Sequence, residues 1–144
     1  MMAPAAEVRG GRSAARREAV FLLYQRDVTG LPLEELEANA ERARGAPLDP
    51  FTRELVAGVV AREDELDGAI DAAAQGWSLD RIAPLERSIL RVAASEVVRG
   101  DVPQAVAIDE AVELAKEYCG TDAPGFVNGV LGAALEGTGA EKLN

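Results

Sequence analysis

The 144-residue sequence predicts an all-α fold of six or seven helices. Apolar residues recur at spacings of three and four in most segments, which is typical of one face of an α-helix. No segment alternates between apolar and polar residues for more than a few positions, as a half-buried strand would. Glycine and proline separate the helical segments and indicate where each one ends.

The first helix is predicted to begin at Ser13, because serine is a preferred N-cap residue, and to end before Gly30. Residues 1–12 are rich in alanine, glycine and proline and show no period, so we expect a flexible basic arm there. A second helix, over residues 33–44, places leucine and alanine on one side and glutamate on the other.

The third helical segment begins at Asp49-Pro50, which supplies an N-cap residue followed by a proline at the first helical position. Its apolar pattern continues for about 26 residues to Gly76, longer than a typical globular helix. We therefore expect either two helices in sequence or one helix bent near residues 58–68.

Three further helices are predicted in the second half of the chain. Pro84 begins one that ends before Gly100, and residues 104–119 form the next. The last helix begins after Pro124, and residues 137–144 are expected to form a frayed polar tail.

The last helix contains Gly125, Gly129 and Gly132, whose spacings of four and three place them on one stripe. Each interior glycine costs about 0.5–1 kcal/mol relative to alanine, so some interaction is expected to offset that cost. One interpretation is a helix that packs closely on the stripe; the other is that Phe126 is exposed to a ligand at the helix start.

Composition excludes several classes of site. The single Cys119 cannot form an internal disulfide, and the absence of histidine removes the commonest general base and metal ligand. No nucleotide-binding glycine motif or nucleophile elbow is present, so we expect no metal and no cofactor. No apolar run approaches the roughly 20 residues that span a bilayer, and no signal-peptide pattern is present, so we expect a cytoplasmic protein without membrane contact.

Charge is distributed unevenly along the chain. The first 17 residues carry four arginines and one glutamate, a balance of +3, whereas the remainder carries 11 basic and 24 acidic residues, a balance of −13; the sum is −10. Such a chain repels polyanions except at its basic end, so any nucleic acid is expected there. The alternative is a solvated arm that binds nothing.

Four segments, in order and with compatible spacing over about residues 12–136, together resemble the NusB family of bacterial transcription antitermination proteins. The segments are RREAVFLLYQ (16–25), ERSILRVA (86–93), DVP with AIDEAVELAK (101–103 and 107–116) and FVNGVL (126–131). The resemblance implies one helical domain over residues 13–136, made of two packed three-helix subdomains, without catalytic activity. Members of the NusB family bind the boxA element of ribosomal RNA leader transcripts together with NusE, a protein of the small ribosomal subunit, and help RNA polymerase pass terminators.

The resemblance also implies an RNA site at the start of the first helix. The matching positions are Arg12, Arg16 and Arg17, with Arg9 in the arm as a looser candidate. Arginine suits this role because its planar guanidinium grips phosphate and stacks on unpaired bases.

Asp122 and Phe126 match family positions in or near the RNA site at the start of the last helix. An exposed Phe126 would offer a ring for base stacking, while Asp122 would oppose phosphate and limit affinity. Many relatives have Lys or Arg at the position of Gly125. Many also have a denser run of basic residues where this chain has an arm interrupted by glycines. Both departures predict weaker RNA binding by the chain alone.

Tyr24 and Glu86 match positions on the NusE-facing side of relatives. An acidic surface there favours association with a basic ribosomal protein. The alternatives are that Tyr24 is a core residue and that Glu86 only complements the helix dipole.

Two other functions stay open. The first is a stand-alone relative of the RNA-binding domain that precedes the catalytic domain in ribosomal RNA cytosine methyltransferases, which shares this fold. The second is a protein-interaction bundle, homodimeric through Phe21 and the first helix, in which residues 9–17 are only a tail.

Overall fold

A computed structural model describes residues 5–77 and 82–143, with side chains described for residues 11–77 and 82–136. This part of the chain forms seven α-helices and contains no strand, which confirms the predicted all-α class. The helices are α1 (Ala5–Thr29), α2 (Leu33–Arg44), α3 (Pro50–Ala61), α4 (Glu63–Ala73), α5 (Pro84–Arg99), α6 (Gln104–Tyr118) and α7 (Ala123–Leu143).

Helix α5 joins two groups of helices. In one group α1 packs against α2 and α3, and in the other α5 packs against α4, α6 and α7. Since α5 also packs against α1 and α3, its residues 88–96 are all buried.

Two polar residues of α5 are buried: Arg91 and Ser95 are only 7% and 0% exposed. Arg91 lies among carboxylates of other helices: its Nε and Nη2 each donate to Asp67 at 2.8 Å, and its Nη1 donates to Asp27 at 2.7 Å. The charge is tolerated in this position because it is paired and hydrogen-bonded.

Several helices begin or end where the sequence predicts. Gly30, Gly45 and Gly100 follow α1, α2 and α5 with φ angles of 76°, 71° and 78°, a conformation that glycine adopts without strain. Asp49 caps α3 by accepting a 2.8 Å hydrogen bond from the backbone N–H of Phe51. The long third segment is two helices, separated at Arg62.

The first helix begins earlier, and the last helix ends later, than the sequence predicts. Helix α1 begins at Ala5 rather than after Ser13, because the alanine-rich segment favours helix despite its two glycines. Ser13 lies inside the helix, where its hydroxyl donates to Glu110 at 2.7 Å. Helix α7 likewise continues to Leu143, through most of the predicted frayed tail. Residues 1–4 of the predicted arm lie outside the described residues.

Within the described residues, no other helix covers the glycine stripe on α7. A Cβ at Gly125 or Gly132 would meet no described atom within 4 Å, and one at Gly129 would lie 3.4 Å from Cζ2 of Trp77, an ordinary contact. The interpretation that a second helix backbone packs closely on this stripe is therefore wrong.

Candidate nucleic-acid interface

Arg16, predicted as an RNA contact, is buried and paired. It is 5% exposed, and its Nε and Nη2 donate to the two carboxylate oxygens of Glu96 at 2.8 and 2.9 Å. Its Nη1 donates to Glu110 at 3.2 Å. Burial would lower the pKa of Arg16, but the hydrogen bonds and charges of Glu96 and Glu110 raise it overall, so the guanidinium stays charged. The expectation that Arg16 is presented to RNA is thus corrected: it ties α1 to α5 and α6.

Arg12 is exposed and lies above an aromatic ring. Its Cζ is 4.8 Å from the centroid of Phe51, at the start of α3, and the Cζ of Arg16 is 5.5 Å from the same centroid. Cation–π contacts at these distances hold a guanidinium in place without using its hydrogen-bond donors. Arg12 is therefore both oriented by the fold and accessible to a ligand.

Arg17 is exposed on the side of α1 that faces the end of α6. It lies near Tyr118, whose ring packs edge-to-face on Phe21 with centroids 5.0 Å apart and an 85° interplanar angle. Desolvation and the neighbouring Glu117 raise the pKa of Tyr118, although Arg17 opposes this. The phenol is therefore protonated at neutral pH.

Arg9 lies within α1, but its side chain is outside the part of the chain whose side chains are described. It precedes Arg12 by three residues on the same helix, which is one turn. Its assignment to an RNA site stays a prediction.

Phe126 is buried rather than exposed. It is 1% exposed, and its ring lies 5.2 Å from that of Trp77 at an interplanar angle of 86°. The expected stacking ring is thus covered, because Trp77 and the core enclose the start of α7. Trp77 itself is 38% exposed. Asp122, one turn before Phe126, lies at the surface.

The two residues predicted to contact a protein partner, Tyr24 and Glu86, are both half-buried. Glu86 lies near Cys119 at the end of α6, where desolvation first and the charge of Glu86 second raise the pKa of the thiol. Partial exposure leaves both residues accessible to a partner, and their role stays a prediction.

Sequence reasoning gave no role to Tyr118 or Phe51. The local sequence shows only an aromatic residue at the end of the amphipathic helix α6 and another at the start of α3. Their relevance comes from the arginines of α1, which lie far away in sequence and adjacent in the fold.

No metal site or membrane span is evident in the described ranges. Within them, no three or more acidic or cysteine side chains group in a way that would hold a metal ion. Over the same residues, no helix has the length and apolar character needed to cross a bilayer.

Comparisons with known proteins give a consistent result. The sequence model of the NusB family matches residues 13–136. A curated transcription antitermination protein NusB from Rubrobacter xylanophilus is 44% identical over 124 residues, covering 85% of this chain and 88% of the relative.

Solved structures are similar over most of the chain. A crystal structure of the antitermination factors NusB and NusE in complex with double-stranded RNA has a TM-score of 0.76 at 28% identity, covering 87% of this chain and 96% of the matched chain. The solution structure of NusB from Aquifex aeolicus has a TM-score of 0.74 at 28% identity, covering 90% of each chain.

Proposed function

Because this chain belongs to the NusB family, we propose that it is a transcription antitermination factor that binds boxA-type single-stranded RNA together with NusE. The similarity to a curated antitermination protein over most of both chains is the observation that carries the proposal. A structural neighbour that pairs NusB with NusE and RNA supports the choice of both ligands.

Arg12 and Arg17 are the proposed phosphate contacts, with Arg9 as a third. Both described arginines are exposed near the start of α1 in a chain whose net charge is −10. A few cations on an acidic protein give weak, strongly salt-dependent RNA binding, because each phosphate contact releases condensed counterions. A second protein that contributes further contacts would raise the affinity of the complex.

Arg16 and Phe126 are proposed to act indirectly. Arg16 fixes α1 against α5 and α6 through Glu96 and Glu110, and Phe126 supports the start of α7, which Asp122 directly precedes. Asp122, at the surface, would repel phosphate and restrict where the strand passes.

Tyr24 and Glu86 are the proposed contacts for NusE. A ribosomal protein is basic, and an acidic partner attracts it over a long range. We further propose that the mixed complex acts on RNA polymerase during transcription and performs no chemistry of its own.

A titration of labelled boxA-type RNA tests the proposal. Fluorescence anisotropy would be measured with this chain, with NusE and with both, at two salt concentrations. We expect the mixture to bind more tightly than either protein and its affinity to fall steeply as salt increases. A scrambled RNA of the same length serves as control, and equal binding of the two RNAs, or none in the mixture, would refute the proposal.

A further inference from the structure

We propose that Tyr118 stacks on an unpaired base of the bound RNA, a proposal that rests on the proposed function. Single-stranded RNA is bound by combining cations for the backbone with aromatic rings for the bases. The arginines supply the cations, but the ring expected to supply the stacking, Phe126, is buried. Another aromatic side chain near the exposed arginines is therefore needed.

Tyr118 has the geometry for this role. It is 38% exposed at the last residue of α6, and its ring is perpendicular to that of Phe21 at a centroid distance of 5.0 Å. A perpendicular contact occupies at most one face of the tyrosine ring, and the 38% exposure of Tyr118 leaves part of its surface accessible to a base. Phe21 is itself half-buried, which fixes the orientation of the pair.

Arg17 supplies a cation beside this ring. It is exposed, it lies one turn before Phe21 on α1, and its charge acts on the Tyr118 hydroxyl. A base stacked on Tyr118 would therefore have its phosphate near a guanidinium.

The sign of the charge also favours RNA over a protein ligand at Tyr118. Arg17 would repel a basic ribosomal protein, whereas it attracts phosphate. Glu117, which lies next to Tyr118, opposes this attraction in part.

The experiment compares Tyr118→Leu, Tyr118→Phe and Val106→Ala in the titration with boxA-type RNA and NusE. Val106 is the matched control, since it is also an exposed apolar residue of α6, 43% exposed. We expect Tyr118→Leu to weaken RNA binding at least about fivefold, because one stacked base is lost, and the other two variants to bind like the wild type. Helicity and thermal melting of each variant would be recorded alongside.

A photocross-link separates stacking from a structural effect. RNA carrying 5-iodouracil should cross-link to Tyr118 in the wild type, with the modified peptide identified by mass spectrometry. The inference would be overturned if a folded Tyr118→Leu variant bound RNA with wild-type affinity. It would also be overturned if that variant lost only its binding to NusE, measured in the absence of RNA. Wild-type protein that binds no RNA with NusE would instead overturn the proposed function as well.

Discussion

Arg16 of α1 and Glu96 of α5 form a bidentate ion pair, with N–O distances of 2.8 and 2.9 Å and with both side chains almost fully buried. Arg17, the next residue, is exposed. Two adjacent arginines of the basic segment therefore have different roles, since one holds the helix in place and the other is available to a ligand.

Arg16→Ala should lower the free energy of unfolding by about 3–5 kcal/mol, because Glu96 would be left buried without its counter-charge. Urea unfolding followed by circular dichroism measures this loss. Replacing Arg16 and Glu96 together by Met and Leu should recover most of it, since the remaining partner of Arg16, Glu110, is partly exposed to solvent.

Arg17→Ala is the matched control. It should change stability by no more than about 0.5 kcal/mol while weakening RNA binding and reducing its salt dependence. Equal stability of the Arg16→Ala and Arg17→Ala proteins would contradict the buried ion pair.

Asp67 should make stability depend on acid pH. Burial would raise the pKa of Asp67, but its hydrogen bonds to Arg91 and the charges of Arg91, Arg87 and Arg26 lower it overall. A folded-state pKa below the unfolded value of about 3.9 means that the stabilisation is present above that pH and is lost as pH falls through the folded pKa. We expect the wild type to be more stable than the Asp67→Asn variant at pH about 7, and this difference in stability to become smaller as pH is lowered to about 2.

Thermal melts over that pH range measure this difference. Asp71→Asn is the control, because Asp71 forms an exposed ion pair with Arg87 at 3.0 Å, and exposed pairs contribute only about 0–1 kcal/mol. If the difference in stability between wild type and Asp67→Asn stayed constant down to the lowest pH, the effect of the substitution could not come from the loss of the ion pair between Asp67 and Arg91.

Phe126→Ala should cost about 3–5 kcal/mol of stability, because a buried ring leaves a cavity at the start of α7. Phe126→Leu should cost less and, where it is folded, should bind RNA like the wild type. Emission of Trp77, the only tryptophan, reports on packing around the missing ring. A folded Phe126→Leu protein that loses RNA affinity several-fold would indicate that the ring reaches the RNA.

The local features of the fold were predictable from sequence. Glycines that end helices, such as Gly30 and Gly100, are recognised because few other residues adopt positive φ. Asp49-Pro50 is equally local, since a cap and the first helical turn involve neighbours in the chain.

Burial of charged and aromatic side chains was not predictable in the same way. Arg16 and Glu96 are 80 residues apart, and each separately resembles a solvent-facing position of its own helix. The ring of Phe126 is covered by Trp77, which comes from the segment after α4. These pairs depend on how helices pack, and one helix's periodicity carries no information about its neighbour's charges.

The last prediction concerns the contact between α3 and α5 at Gly58. A Cβ there would lie 2.9 Å from Oγ of Ser95 and 3.1 Å from Cδ and Nη1 of Arg99. Arg99 cannot move away without cost, because its Nη1 donates to the backbone oxygen of Glu54 at 2.9 Å. Overpacking of this kind costs about 1–3 kcal/mol, which exceeds or cancels the roughly 1 kcal/mol that alanine gains over glycine in a helix.

Gly58→Ala should therefore be neutral or destabilising, whereas Gly68→Ala, where a Cβ meets nothing within 4 Å, should stabilise the protein by about 0.5–1 kcal/mol. Ser95→Ala should partly rescue Gly58→Ala, because it removes the closest atom, a buried hydroxyl without a hydrogen-bond partner among the described residues. Thermal and urea unfolding of the single and double variants measure both effects. If Gly58→Ala stabilised the protein as much as Gly68→Ala, helices α3 and α5 would have to be further apart than they are in this structure.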